Sequence, residues 1–217
     1  FTYVTIANNT ASLGGGIYLE DDSDATFTYV TIANNTASLG GGIYLEDDSD
    51  ATFTYVTIAN NTASLGGGIY LKRSNPILTN SIIWNNGLEP VYIYDDLQFD
   101  EDPIITYSNI EGGWEGNGNI ASDPLFVDFE NNDFNLQSTS PCIDAGTSYL
   151  EIDGEVVLDL DESEYYGSAP DMGAFEYNPN QDLDNDDIIP TSYKLSPSYP
   201  NPFNPITTIN FSVPSFE

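Results

Sequence analysis

Two acidic runs carry the chemistry that this sequence offers first. Glu20, Asp21, Asp22 and Asp24 recur further along the chain as Glu46, Asp47, Asp48 and Asp50. Clustered carboxylates are hard-oxygen donors, so a Ca²⁺ ion held between the two runs is one chemistry they could support. A solvated acidic ridge is the other reading, because the column is short and no glycine-bearing calcium-loop spacing accompanies it. Like charges stacked one layer apart repel by about 1 kcal/mol per pair in water-like surroundings. Lys72 and Arg73 stand where Glu46 and Asp47 would recur, which neutralises the end of the column. Asp182, Asp184 and Asp186 have the alternating opening of a calcium loop. Asp187 and Tyr193 then occupy the positions where such a loop needs Gly and Glu, so the stretch reads as a linker.

The composition excludes much else. The chain has 217 residues, with 35 Asp+Glu against 3 Lys+Arg, a net charge of −32, and no histidine. The commonest general base, triad member and metal ligand is therefore missing. A lone Cys142 permits neither a disulfide framework nor a cysteine-based zinc site, and reads as a small buried hydrophobe. Phosphate and anionic lipid need clustered Lys and Arg, so neither nucleic acid nor an anionic membrane surface is an expected partner. No run of 18 apolar residues is present, and no transmembrane segment is expected. With 40% hydrophobic and 13% aromatic residues the chain is expected to fold despite its charge. Residue 1 falls inside a repeat and is not Met, so a fragment of a longer protein is expected.

The acids are carried by strands and turns of that repeat. FTYVTIANNTASLGGGIYLEDDSDAT fills residues 1–26, returns unchanged at 27–52 and begins again at 53, holding through Leu71. Ile83-Trp84-Asn85-Asn86 then falls where Ile58-Ala59-Asn60-Asn61 sat, one residue early, giving periods of 26, 26 and 25. Phe27, Thr28, Tyr29, Val30, Thr31 and Ile32 suit strands, and the alternation slips between Tyr29 and Val30, which predicts a bend. Asn34-Asn35 and Gly40-Gly41-Gly42 punctuate as turns, and Ile43-Tyr44-Leu45 reads as another strand. Such a coil cannot bury its apolar face alone, so copies must stack into a parallel β-solenoid with like side chains in columns. Asn9, Asn35, Asn61 and Asn86 are expected to form a buried amide ladder beside a column of Asn8, Asn34, Asn60 and Asn85. The columns Tyr3/Tyr29/Tyr55 and Tyr18/Tyr44/Tyr70 read as packing or, if exposed, as platforms for sugars. Thr5/Thr31/Thr57 is a candidate flat hydroxyl column.

The Asn34-Asn35-Thr36-Ala37 turn and the Gly40–Tyr44 strand resemble the right-handed parallel β-helix proteins of bacterial surfaces, in the pectate-lyase-like superfamily. Ser122–Asp128, Ser140–Gly146 and Asp171–Tyr177 look like the stretches that close such helices. The resemblance implies an all-β fold: a β-helix of five or six coils over residues 1–177, irregular at its C-terminal end, then an acidic linker over 178–190. Tyr199, Pro200, Asn201, Pro202, Phe203, Asn204 and Pro205, with the alternating Thr207–Val213 behind them, resemble the start of a C-terminal sorting domain of type IX secretion. That resemblance implies a truncated β-sandwich over 191–217, a type IX machinery partner, and a secreted or outer-membrane-surface location.

Three functions are weighed on this fold. A non-catalytic surface protein would present its solenoid to extracellular polysaccharide or other cell-surface components. A calcium-dependent polysaccharide lyase or a glycoside hydrolase is the alternative. The lyase would rely on Lys72 or Arg73 as base, the hydrolase on paired carboxylates. An ice- or crystal-binding threonine face is the third. Verbatim coils favour the first, because a unique active site needs unique coils.

Overall fold

Once in every repeat the chain comes back to the same place. The computed structural model describes residues 1–87, 89–94, 102–179, 194–195 and 211–212. Its first sheet stacks β1 (Thr5–Ala7), β3 (Thr26–Ala33) and β5 (Thr52–Ala59) in parallel, with Thr5, Thr31 and Ile32 opposite Thr31, Thr57 and Ile58. β7 (Ile77–Thr79) and β8 (Ile82–Trp84) continue it at an offset of 25, followed by β10 (Ile104–Thr106) and β11 (Asn109–Ile110). The second sheet stacks β2 (Ile17–Leu19), β4 (Ile43–Glu46), β6 (Ile69–Lys72) and β9 (Val91–Ile93), also in parallel. Phe27, Val30, Ile32, Ile43 and Leu45 point into the coil and, with their copies, form the main core.

The cross-section is set by residues in the left-handed region. Tyr29 has φ +54, Asn34 +56, Gly40 +64, Asp47 +54 and Asp48 +60, each matched by its copy in coil 1. The bend expected at Tyr29 is therefore a left-handed corner, and the strand continues past it. Left-handed geometry costs a bulky residue about 1 kcal/mol or more. Ring stacking offsets it: Tyr3, Tyr29 and Tyr55 lie with centroids 4.9 and 4.8 Å apart, each such pair contributing about 1 kcal/mol. Gly41 answers a different demand, since a Cβ there would lie 2.5 Å from the carbonyl oxygen of Gly67 in the next coil.

The solenoid makes about four turns, fewer than the five or six expected. After β11 the parallel stacking gives way to antiparallel pairs. β12 (Phe126–Asp128) joins β13 (Asp133–Leu136) around a short 3₁₀ turn (Phe129–Asn131), and β14 (Tyr149–Ile152) joins β15 (Glu155–Asp159). This lobe packs along the side of the first sheet. Phe126, Phe134, Leu136, Cys142 and Met172 form a second core with Ala33, Ala59 and Ile82, whose small or slim side chains leave room for it. The three closing stretches are thus a side cover over the sheet. Trp84 does take the place of Ala59, and Cys142 is buried. A separate unit, Asn178–Glu217, contributes the antiparallel pair β16 (Lys194–Leu195) and β17 (Phe211–Ser212). The rest of the expected linker beyond Pro179, and residues Tyr199–Pro205, lie outside the described residues.

The amide ladder forms as expected. Buried Asn61 donates Nδ2 to the Ile32 carbonyl at 2.9 Å and to Asn86 Oδ1 at 2.9 Å, and its Oδ1 accepts from the Asn35 backbone N–H at 2.9 Å. Truncating it strands several buried groups, so Asn61→Ala is expected to lower unfolding free energy by about 3 kcal/mol or more, against less than about 1 kcal/mol for exposed Asn9→Ala, read by urea titration. Excising the whole repeat 27–52 places coil 1, with Thr5, Ala7 and Asn8, under the lobe where Thr31, Ala33 and Asn34 now sit. That deletion is expected to fold cooperatively with the lobe docked. Excising only 27–39, half a repeat, breaks the register of every column and is expected to abolish the cooperative transition.

Candidate functional site

The acidic turn begins where β4 ends. Asp21, Asp22, Asp47 and Asp48 occupy left-handed positions, which Asp tolerates better than most residues. Between coils the turn is tied by side chains. The Ser49 hydroxyl accepts the Ser23 N–H at 3.2 Å, and Ser74 accepts that of Ser49 at 3.1 Å. Asp24 Oδ1 accepts the Asp50 N–H at 3.0 Å, and Asp50 Oδ1 that of Asn75 at 2.6 Å. Glu46 holds Lys72 Nζ at 2.8 Å, and Arg73 pairs with Asp47. Glu20 and Glu46 share the Tyr18 hydroxyl at 2.6 Å each. The structure thus brings the two runs together with many of their oxygens engaged. Among the described residues no group of three or more His, Cys, Asp or Glu gathers in a geometry able to hold a metal ion. The Lys72 ammonium and the Tyr18 hydroxyl hold Glu46 below the usual carboxylate range.

The remaining columns divide into covered and open ones. Tyr44, Tyr70 and Tyr92 stack at 4.8 and 5.1 Å, Tyr18 lies tilted over Tyr44 at 5.4 Å, and Tyr44 and Tyr70 are buried between their neighbours. Tyr3 is 71% exposed but Tyr55, in the same column, only 2%. These tyrosines are chiefly packing. The Thr5/Thr31/Thr57 column is also covered from coil 2 onward, for Thr57 Oγ1 accepts the N–H of Ala174 at 2.9 Å. The open hydroxyls are elsewhere. Thr10, Thr36 and Thr62 pair in parallel bridges, and with Ser12, Ser38 and Ser64 they are exposed along three coils. The signal for that face was present in the Thr-Ala-Ser spacing next to the Asn ladder.

The lobe adds a carboxylate cluster that motif reading missed. Asp171 accepts the N–H groups of Asp144 at 2.8 Å and Tyr177 at 2.6 Å. Glu176 accepts those of Tyr166 and Asp171, both at 3.0 Å, and Asp144 accepts that of Ser168 at 2.7 Å. Three acids therefore pin three loop segments through backbone donors. Asn80 ties the lobe to the solenoid, exchanging hydrogen bonds with Thr147 at 2.7 and 2.8 Å.

A family model for the right handed beta helix region matches residues 1–157. The chain belongs to the right-handed β-helix family. The match spans the stacked coils and the lobe as far as β15. Neither the curated proteins nor the solved structures that were searched contain a match to the chain. Membership fixes the fold of this β-helix and leaves its chemistry to the faces described above.

Within the β-helix, burial raises the Glu176 carboxyl to about 7, with the nearby Asp171 and Asp144 charges acting the same way, and burial also raises Asp171. A carboxyl raised on folding contributes stability that is complete below its unfolded value and is lost as pH climbs through its folded value. Glu46, lowered on folding, acts only at more acidic pH. The lobe is therefore expected to melt higher at pH 5 than at pH 8, with a difference on the order of 1 kcal/mol for a half-buried group. Glu176→Gln, followed by calorimetry across that range, is expected to remove most of the difference.

Proposed function

We propose that this β-helix is a secreted or cell-surface repeat protein without catalytic activity, which displays a flat solenoid face to extracellular polysaccharide. The observation that carries this reading is the pair of hydroxyl columns, Thr10/Thr36/Thr62 and Ser12/Ser38/Ser64. They are exposed, identical in three coils, and spaced about 4.8 Å apart along the axis. An extended polymer lying along the axis meets the same donors and acceptors at every coil, so weak contacts add. Verbatim coils support display over catalysis, because a reaction centre needs residues that differ from one coil to the next. Delivery by the type IX machinery rests on the resemblance carried by Tyr199–Pro205.

The test replaces Thr10, Thr36 and Thr62 by Val and Ser12, Ser38 and Ser64 by Ala in one variant. Its melting temperature is expected to hold while retention on insoluble polysaccharides falls by at least about tenfold. The same incubations are expected to release neither reducing ends nor unsaturated uronates. Undiminished retention overturns the face, and saturable product release overturns the non-catalytic reading.

A further inference from the structure

A cleft of about 460 Å³ opens between β9 and the turn that follows β11. That volume falls in the range of small-ligand sites. Pro90 and Val91 supply apolar surface, Trp114 an aromatic wall, and Glu89 and Glu111 two carboxylates, over a floor closed by buried Ile110. The walls are held in place. The Asn85 N–H donates to Glu111 Oε2 at 2.7 Å, the Gly113 N–H closes the turn onto the Ile110 carbonyl at 2.9 Å, and Trp114 packs against the main core. Gly112, on the rim, has open space among the described residues where a side chain would stand.

Among the described residues of the solenoid unit, no Lys or Arg is paired with the carboxylates of this cleft. The chain has 3 Lys+Arg. Lys72 is paired with Glu46, Arg73 with Asp47, and Lys194 belongs to the second unit. A hard metal ion would want about six or more oxygen donors, which two carboxylates and an indole do not provide. An organic cation fits instead, because an indole face attracts ammonium and guanidinium groups and the carboxylates neutralise them. We propose that this cleft binds an organic cation, its charged head over Trp114 between Glu89 and Glu111 and its alkyl stem on Pro90 and Val91. The source is either a free alkylammonium compound or a Lys or Arg side chain of a partner. The site stands apart from the hydroxyl face, and either can fail without the other.

The test follows the two indole N–H resonances of the full chain, assigned with Trp84→Phe, during titration with choline, tetralysine and 3,3-dimethylbutan-1-ol, the uncharged isostere of choline. The Trp114 resonance is expected to shift saturably with the cations and not with the isostere, while Trp84 stays still. The Glu89→Gln/Glu111→Gln variant is expected to weaken binding by about tenfold or more. Trp114→Leu keeps an apolar side chain on the core, and calorimetry is expected to show choline heat lost while the variant still unfolds cooperatively at a somewhat lower melting temperature. Tighter binding of tetralysine than of choline assigns the ligand to a partner's side chain, and the reverse order assigns it to a free amine. Equal shifts with the isostere, a non-saturating response, or an unchanged affinity in the Gln variant overturns the proposal.

Discussion

A stack of coils accepts only residues that tolerate their own copy about 4.8 Å above and below. This self-compatibility decides which side chains occupy each column. Asparagine satisfies it well, since each amide donates and accepts along the axis, as Asn61 does between Asn35 and Asn86. Flat rings satisfy it by stacking, and Phe1, Phe27 and Phe53 do so at 5.1 and 4.9 Å, the last two buried inside the coil. Carboxylates fail it, because identical charges repel. The acids therefore lie at an outer turn, where water screens them, neighbouring N–H groups and Tyr18 engage several of their oxygens, and Lys72 and Arg73 end the column.

The same constraint explains why Asp sits at the turn at all. Asp47 and Asp48 adopt positive φ, a conformation that Asp and Asn accept more readily than other side-chain-bearing residues. Asn34 answers the same backbone demand without charge, and its column is uncharged in every coil. The acidity of the turn is thus partly a solution to chain direction, and a cluster of carboxylates so produced is not by itself a ligand shell.

Columns were legible in the sequence because repetition fixes register without any knowledge of the fold. The 26, 26 and 25 spacing reappears in the strand pairing, and the bend at Tyr29 follows from a break in alternation. What repetition cannot say is which outward column is covered. Ala33, Ala59 and Thr57 look like ordinary surface positions until Met172–Ala174 and Phe134 lie on them. Their cover comes from non-repeating chain far along the sequence, whose hydrophobic pattern gives strands and turns without an address. For the same reason the Asp144, Asp171 and Glu176 cluster was invisible: no motif points to it, and only the fold brings the backbone donors of these acids together.

Burial and repetition together separate the two kinds of surface on this β-helix. Where the lobe lies, the first sheet is committed to packing, and the small side chains of the repeat serve as a footprint. On the uncovered hydroxyl face each coil repeats the last, which favours a periodic partner over a compact one, because a compact ligand would use one coil and leave identical neighbours idle. The cleft beside Trp114 has the opposite character. It is formed where repetition stops, from residues that occur once, and a unique constellation suits a discrete ligand. The break in the repeat is therefore where chemical specificity can begin, and the repeat itself is where avidity accumulates.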